Sequence, residues 1–172
     1  DDPLLETWRQ TLEKLAEYFT DKSGLMIGRG VPLERSHRHY SHLLAIYPLY
    51  LLNWEQPQNR DLIEKSLNHW LSLDEAHQGY SFTGAASILA SMGKGDEAYH
   101  YLNGLLGGTH PESGEFIKPN TLYQEAGPVI GTPLSAARSL QDMLLQSWGG
   151  KIRVFPALPR EWKDVVIHNF RA

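Results

Sequence analysis

Apolar residues recur at helical spacing in several segments of the chain. Between residues 3 and 20 their spacing predicts an amphipathic helix with one apolar face: Leu4, Leu5, Trp8, Leu12, Leu15, Ala16 and Phe19. The same period predicts five more helices, over residues 39–47, 59–71, 81–92, 96–106 and 132–148. Asn59 and Thr132 are suited to cap two of these helices, and Pro48 ends the one before Asn59.

Two regions lack the helical period. Residues 107–131 hold three prolines and form a loop longer than the usual connection, which is typical of functional segments. After Gly149 and Gly150, alternation over residues 151–154 and an apolar run at 165–170 predict two short strands. This order of elements indicates a mainly α fold, a partial α/α toroid built of helix pairs and followed by short C-terminal β-strands. We expect residues 1–149 to form the helical part and residues 150–172 to begin a β domain.

Composition excludes several classes of protein. The 172 residues suit one core, and 41% apolar and 21% charged residues are ordinary globular values. The net charge is -4 and no block of Lys and Arg stands out, so we expect no nucleic acid and no membrane as partners. The absence of cysteine excludes disulfides, thiolate-bound zinc and thiol nucleophiles.

Three imidazoles and two guanidinium groups are concentrated within eight residues. They are Arg35, His37, Arg38, His39 and His42. His37-x-His39-x-x-His42 offers three nitrogen ligands, but no carboxylate stands at a metal-ligand offset and the arginines would repel a cation, so we predict neither a metal nor a cofactor. Two interpretations remain: a helix cap whose histidines bond to backbone, and a site that recognises a neutral, hydroxyl-rich ligand.

Glu125 is the best candidate for a catalytic carboxylate. It lies in the long loop between Gln124 and a Gly127-Pro128 pair that fixes the backbone. Glycoside hydrolysis uses an acid and a base, and carboxyl groups about 6.5–9.5 Å apart leave room for the water of an inverting reaction. The alternative is a capping or solvated glutamate, which is also our interpretation of Glu112 and Glu115.

Three groups of residues resemble the signatures of glycoside hydrolase family 95. His37-Arg38-His39-Tyr40-Ser41-His42-Leu43, followed by Tyr47-Pro48, resembles the family's His-Arg-His-x-Ser-His-Leu signature. Two further groups are similar to the family's middle helix pair and its closing segment: Gly93-x-Gly95-Asp96-x-Ala98, and Leu144-Leu145-Gln146-Ser147 with Gly149-Gly150, Pro156-Ala157-Leu158-Pro159 and Trp162. The resemblance extends over residues 24–171.

The resemblance implies an inverting α-L-fucosidase or related glycosidase, in which an (α/α)6 catalytic barrel is followed along the chain by a β domain. Members are often secreted by bacteria that feed on glycans, so it implies a bacterial, secreted or periplasmic protein with a carbohydrate as partner. By resemblance, Arg38 and His39 would bind sugar hydroxyls, and His37, Asn120 and Gln124 are the other predicted substrate-binding residues.

The chain also departs from the family pattern. The family's general base is an aspartate in His-Pro-Pro-Phe-Gln-x-Asp-Gly-Asn, where this chain reads Asn120-Thr-Leu-Tyr-Gln124-Glu125-Ala-Gly127. Glu125 would replace that aspartate, and Asn120 stands in place of a sugar-binding histidine. The family's general acid and its water-activating asparagines lie earlier, and an (α/α)6 barrel needs about twice the helices predicted here.

We therefore expect the C-terminal part of a family-95-like catalytic region, inactive alone, with a possible homo-oligomer formed through the exposed face of the half-barrel. A start at Asp1-Asp2-Pro3, with no signal peptide, fits a processed or excised piece. The first alternative is a non-catalytic carbohydrate-binding or structural helical domain, and the second is a metal-dependent hydrolase.

Overall fold

A computed structural model describes residues 2–107, 116–125 and 127–170. Within these ranges five α-helices are the main elements: α1 (Leu5–Glu13), α2 (Arg60–Ser72), α3 (Gly79–Ser91), α4 (Gly95–Gly107) and α5 (Gly131–Leu144). Two short 3-10 helices, Ser41–Leu43 and Pro57–Asn59, lie between α1 and α2. None of the helices in the described ranges has the length and apolar character required to span a bilayer.

Short strands form three small antiparallel sheets. The strands are β1 (Thr20–Asp21), β2 (Gly24–Leu25), β3 (Phe116–Ile117), β4 (Tyr123–Gln124), β5 (Pro128–Val129), β6 (Leu145–Trp148) and β7 (Lys151–Val154). β1 pairs with β2, β4 lies between β3 and β5, and β6 pairs with β7. The predicted fold class, a mainly α partial toroid with short strands near the C-terminus, is confirmed.

Helix α3 is the centre of the core because it is buried on nearly every side. Its small residues allow α4 and α5 to pack closely against it. Gly84 shows how close the packing is: a Cβ built on it would stand 2.1 Å from Cε1 of Tyr40. Only glycine fits there, so the segment that carries the His/Arg cluster packs directly on the central helix.

Helix α2 presents the predicted apolar stripe to this core. Ile63, Ser66, Leu67 and Trp70 are buried along one face, whereas the opposite face is exposed. The stripe recurs at helical spacing, so local sequence and tertiary packing agree here. Asn59 precedes the helix as expected, but its side chain makes no capping hydrogen bond.

The prediction for α1 was wrong in extent. The helix ends at Glu13 rather than near Thr20, and none of its residues is buried. Phe19 and Thr20 belong instead to a hairpin, in which the Met26 amide donates to the Phe19 carbonyl at 2.8 Å and Thr20 pairs with Leu25. Phe19 and Thr20 therefore pair in a hairpin, although the apolar spacing before them continued the helical pattern.

The prediction for the C-terminal region was also wrong in two places. Helix α5 stops at Leu144 rather than Trp148, because residues 145–148 pair with Lys151–Val154 across a turn in which Gly149 and Gly150 have φ of 61° and 71°. The second predicted strand, at 165–170, is not formed. Thr132 is buried inside α5, and Ile130 occupies the N-cap position. The domain boundary predicted at residues 149 and 150 falls in this turn and stays a prediction.

Candidate active site

The segment from Leu33 to Tyr40 forms neither helix nor strand, and side chains of α2 and α3 hold it in place. Its carbonyls at Leu33, His37 and Arg38 contact His69 Nε2 at 2.7 Å, Trp70 Nε1 at 2.9 Å and Ser81 Oγ at 2.9 Å, respectively. The Arg38 carbonyl, which would be the first acceptor of the helix predicted over residues 39–47, accepts the Ser81 hydroxyl instead. That prediction is wrong: only Ser41–Leu43 form a 3-10 helix, and the residues after them are turns.

Arg38 joins this segment to two distant parts of the chain. Its Nη1 donates to Glu125 Oε2 at 3.0 Å and to Gln78 Oε1 at 3.3 Å. The Arg38 side chain is 44% exposed, whereas that of Glu125 is only 9% exposed. The guanidinium thus lies over a carboxylate that is nearly withdrawn from solvent, and a charged pair of this kind is stronger than one on an open surface.

The two neighbouring imidazoles have defined orientations. His37 Nδ1 accepts the His39 amide at 3.0 Å, the shorter of its contacts with that residue, and Arg38 Nε donates to His39 Nε2 at 3.2 Å. Neutral His39 therefore carries its proton on Nδ1. Burial lowers the pKa of His39, and the charges of Arg38 and His37 lower it further, against an opposing effect of Glu125. His39 is thus a neutral donor at pH 7.

The structure brings four of the predicted residues together: His37, Arg38, His39 and Glu125. Gln124 is linked to this group through the backbone of Glu125, because its Nε2 donates to the Glu125 carbonyl at 3.0 Å. Asn120 does not join it by any hydrogen bond among the described residues, because its Oδ1 accepts the Leu122 amide within its own turn.

Gln78, which was not among the predicted site residues, holds Arg38 and also caps α3. Its side chain accepts the N3 backbone amide, and Ser81 Oγ accepts the Gln78 amide in return. A polar residue three positions before a serine at the start of a helix was the available signal. Tyr80, on the same helix, lies with its ring 5.7 Å from that of His39.

A groove of about 650 Å³ opens beside the cluster, and we call it the histidine groove. Ile27, Pro32 and Leu33 form an apolar wall, and His37, His39 and His42 line it with imidazoles. Burial, followed by the charge of His69, lowers the pKa of His42 to about 4. The groove therefore presents imidazoles on one side, with Glu34 and Arg35 beside them, and aliphatic carbon on the other.

No cluster of three or more His, Asp or Glu that would hold a metal ion occurs in the described ranges. Tyr40 and Tyr47, which follow the cluster, pack in the core, against Trp70 and with Asp142. Glu112 and Glu115 lie outside the described residues.

The structure thus combines packed helix pairs with a His-Arg-His segment and a carboxylate whose side chain is only 9% exposed. Residues 1–144 match the family model of the glycosyl hydrolase family 95 catalytic domain. The chain belongs to this family.

A curated relative is Alpha-L-fucosidase 2 from Arabidopsis thaliana. It is 25% identical over 147 residues, which are 81% of this chain and 17% of that protein. The chain thus spans less than a fifth of the length of the relative it matches.

Proposed function

We propose that this chain supplies one side of the catalytic centre of an inverting glycoside hydrolase that acts on α-L-fucosides or a related glycan. The ion pair between Arg38 and Glu125, beside the histidine groove, is the observation that carries the proposal. It unites a fixed carboxylate with neutral hydrogen-bonding groups, which is the chemistry that a sugar hydroxyl and an attacking water require.

In this proposal Glu125 is the general base. It would take a proton from the water that attacks the anomeric carbon, while an acid outside this chain protonates the leaving oxygen. Arg38 and His39 would bind sugar hydroxyls, and His37, Asn120 and Gln124 would complete the contacts. With one carboxylate and one open side, the chain alone holds no near-attack geometry and is expected to be inactive.

The apolar wall supports a 6-deoxy sugar as the ligand. A hexose with a methyl group in place of C6 hydroxymethyl has one aliphatic edge and a hydroxyl-rich face. Ile27, which is 56% exposed, can cover such an edge, while the imidazoles bind the hydroxyls. Export to the periplasm or the cell exterior, and a bacterial source, remain part of the proposal.

The second candidate function is carbohydrate binding without turnover. It is favoured by the 9% exposure of the Glu125 side chain, because a general base must reach a water on the sugar and Arg38 covers this one. Glu125 also directly follows Gln124, whereas the family's aspartate stands one position later.

Glu125→Gln in the complete protein that carries this chain separates the two candidates. We expect kcat on an aryl α-L-fucoside to fall about a thousandfold with KM within about threefold, since the amide cannot accept the proton. Glu17→Gln, on an exposed residue, is the matched control. Proton NMR of the first product should show the β-anomer. Unchanged kcat would remove Glu125 from the reaction, and wild-type binding without turnover would establish the second candidate.

A further inference from the structure

We propose that Gln78 is a positioning residue of the candidate site, which holds the Arg38 guanidinium in one place so that a sugar meets donors that are already oriented. The inference rests on the proposed function, because Gln78 acts through Arg38, a residue proposed to bind the sugar. Gln78 itself touches no reacting atom in this arrangement, so its effect is on affinity rather than on the chemical step.

The first turn of α3 holds Arg38 at both of its ends. Ser81 Oγ donates to the Arg38 carbonyl at 2.9 Å, and Gln78 Oε1 accepts from Arg38 Nη1 at 3.3 Å. The same two residues are bound to each other, since the Gln78 amide donates to Ser81 Oγ at 3.2 Å and the Gln78 side chain accepts the Ser81 amide. The backbone and the guanidinium of Arg38 are therefore attached to one unit of the fold.

This unit is packed into the core. Gly79 and Ser81 are buried, and a Cβ built on Gly79 would stand 2.5 Å from Thr132 Oγ1 of α5. The start of α3 is thus in close contact with a second helix, and interiors packed in this way are rigid. Gln78 therefore attaches a guanidinium that is partly exposed to a rigid part of the molecule.

The other two acceptors on Arg38 lie outside the core helices. His39, which accepts from Nε at 3.2 Å, belongs to the segment that forms neither helix nor strand. Glu125, which accepts from Nη1 at 3.0 Å, follows the two-residue strand β4. Of these three acceptors only Gln78 belongs to the turn that begins a core helix, so its loss would leave the guanidinium without a helical anchor.

One nitrogen of Arg38 is left for a ligand. Nη2 forms no hydrogen bond or ion pair within the described residues, and its two N–H groups can donate to hydroxyl oxygens. A long side chain that is ordered before binding loses little rotamer entropy when the sugar arrives. Without Gln78 that entropy would be lost on binding, so the sugar would bind more weakly.

Two substitutions in the complete protein that carries this chain separate positioning from capping. Gln78→Ser keeps a preferred N-cap residue, but its hydroxyl ends two bonds nearer the backbone than Oε1 and does not reach Arg38. We expect KM for an aryl α-L-fucoside to rise about tenfold with kcat within about threefold, and the melting temperature to stay within about 2 °C. Gln78→Glu keeps the length and adds a charge that the start of a helix favours, so KM should stay within about threefold of the wild type.

Gln58→Ser, on an exposed glutamine of the 3-10 helix Pro57–Asn59, is the matched control and should change neither KM nor kcat. An unchanged KM in Gln78→Ser overturns the inference, and so does an equal rise of KM in Gln78→Ser and Gln78→Glu. A lower melting temperature together with a lower kcat in Gln78→Ser also overturns it, because Gln78 would then be a structural cap. If the wild type does not cleave the fucoside, calorimetry with L-fucose makes the same comparison in Kd. A wild type that binds no L-fucose contradicts the proposed function, and the inference fails with it.

Discussion

Arg38 is the residue on which the geometry of the candidate site depends. It contacts His39, Gln78 and Glu125, which come from the same loop, the start of α3 and the end of β4. A guanidinium has five donors in a rigid plane, so it can satisfy three acceptors at once, whereas a lysine ammonium is a flexible point charge. The identity of this side chain, and not only its charge, therefore holds the cluster together.

His42 makes stability depend on pH. Its pKa in the folded chain is about 4, whereas an unfolded histidine has its ordinary value near 6.5. Between these values the unfolded chain binds more protons, so stability that is present above pH 6.5 is lost as the pH falls towards 4. We expect a loss of about 2 kcal/mol in the free energy of unfolding, after allowance for partial exposure of the ring.

Urea denaturation at pH 7 and pH 4.5 measures this loss. His42→Gln should lose less stability over the same interval than the wild type. Part of the loss should remain, because burial also lowers the pKa of His39 and of His77. An identical pH dependence in wild type and variant would contradict the assignment to His42.

Helix α3 leaves no room for a larger side chain at Gly84. An alanine favours a helix by about 1 kcal/mol over glycine. At Gly84, however, the added methyl would meet the ring of Tyr40 at 2.1 Å, inside the core. We expect Gly84→Ala to lower the free energy of unfolding by about 2 kcal/mol, since overpacking outweighs the gain in propensity.

Thermal or urea unfolding of Gly84→Ala measures this effect. Gly107→Ala at the end of α4 is the matched control, because a Cβ there meets nothing within 4 Å. The control should change stability by less than about 0.5 kcal/mol. A stable Gly84→Ala with an unchanged site would mean that Tyr40 does not press on α3.

Helix α5 is attached to the segment after the site by a buried polar network. The Tyr47 hydroxyl donates to Asp142 Oδ2 at 2.7 Å, and Arg138 Nη2 lies 3.0 Å from Asp142 Oδ1. Burial raises the pKa of the Asp142 carboxyl despite these partners. A buried acid with its donors fixed specifies one register of α5 against the loop, because any other register would leave it unpaired.

Across the whole molecule, α1 stands apart from the core. Trp8 and Leu12 are 56% and 67% exposed, so the apolar face of the helix covers nothing within the described residues. We expect the amides of α1 to exchange with deuterium far faster than those of α3, since a helix of nine residues without tertiary packing is marginal in water.

Hydrogen exchange followed by mass spectrometry at several protein concentrations measures this difference. Fast exchange at every concentration would show that the helix is unpacked. Protection that rises with concentration would instead support the predicted homo-oligomer, in which a second copy covers the apolar face. Removal of residues 1–18 serves as the control, and it should leave the unfolding of the core unchanged.

The proximity of the predicted residues was easier to foresee than the path of the chain around them, and their roles stay predictions. The His37-Arg38-His39 triplet and Glu125 were identified from residue type and from their resemblance to a family, and they lie together. The helix expected over residues 39–47 is absent, and the Arg38 carbonyl that would be its first acceptor is bound by Ser81 of α3. Gln78 was missed because a helix cap and an arginine partner look alike in a sequence.

Local pattern was enough to predict a helix whose apolar stripe is buried, as in α2, because the period of apolar residues is a local property. The end of α5 depends on the fold, since strand pairing competes for residues 145–148. Only the tertiary structure placed Arg38 against Glu125, 87 positions apart, because contact between distant residues depends on how the helices pack and not on any local pattern.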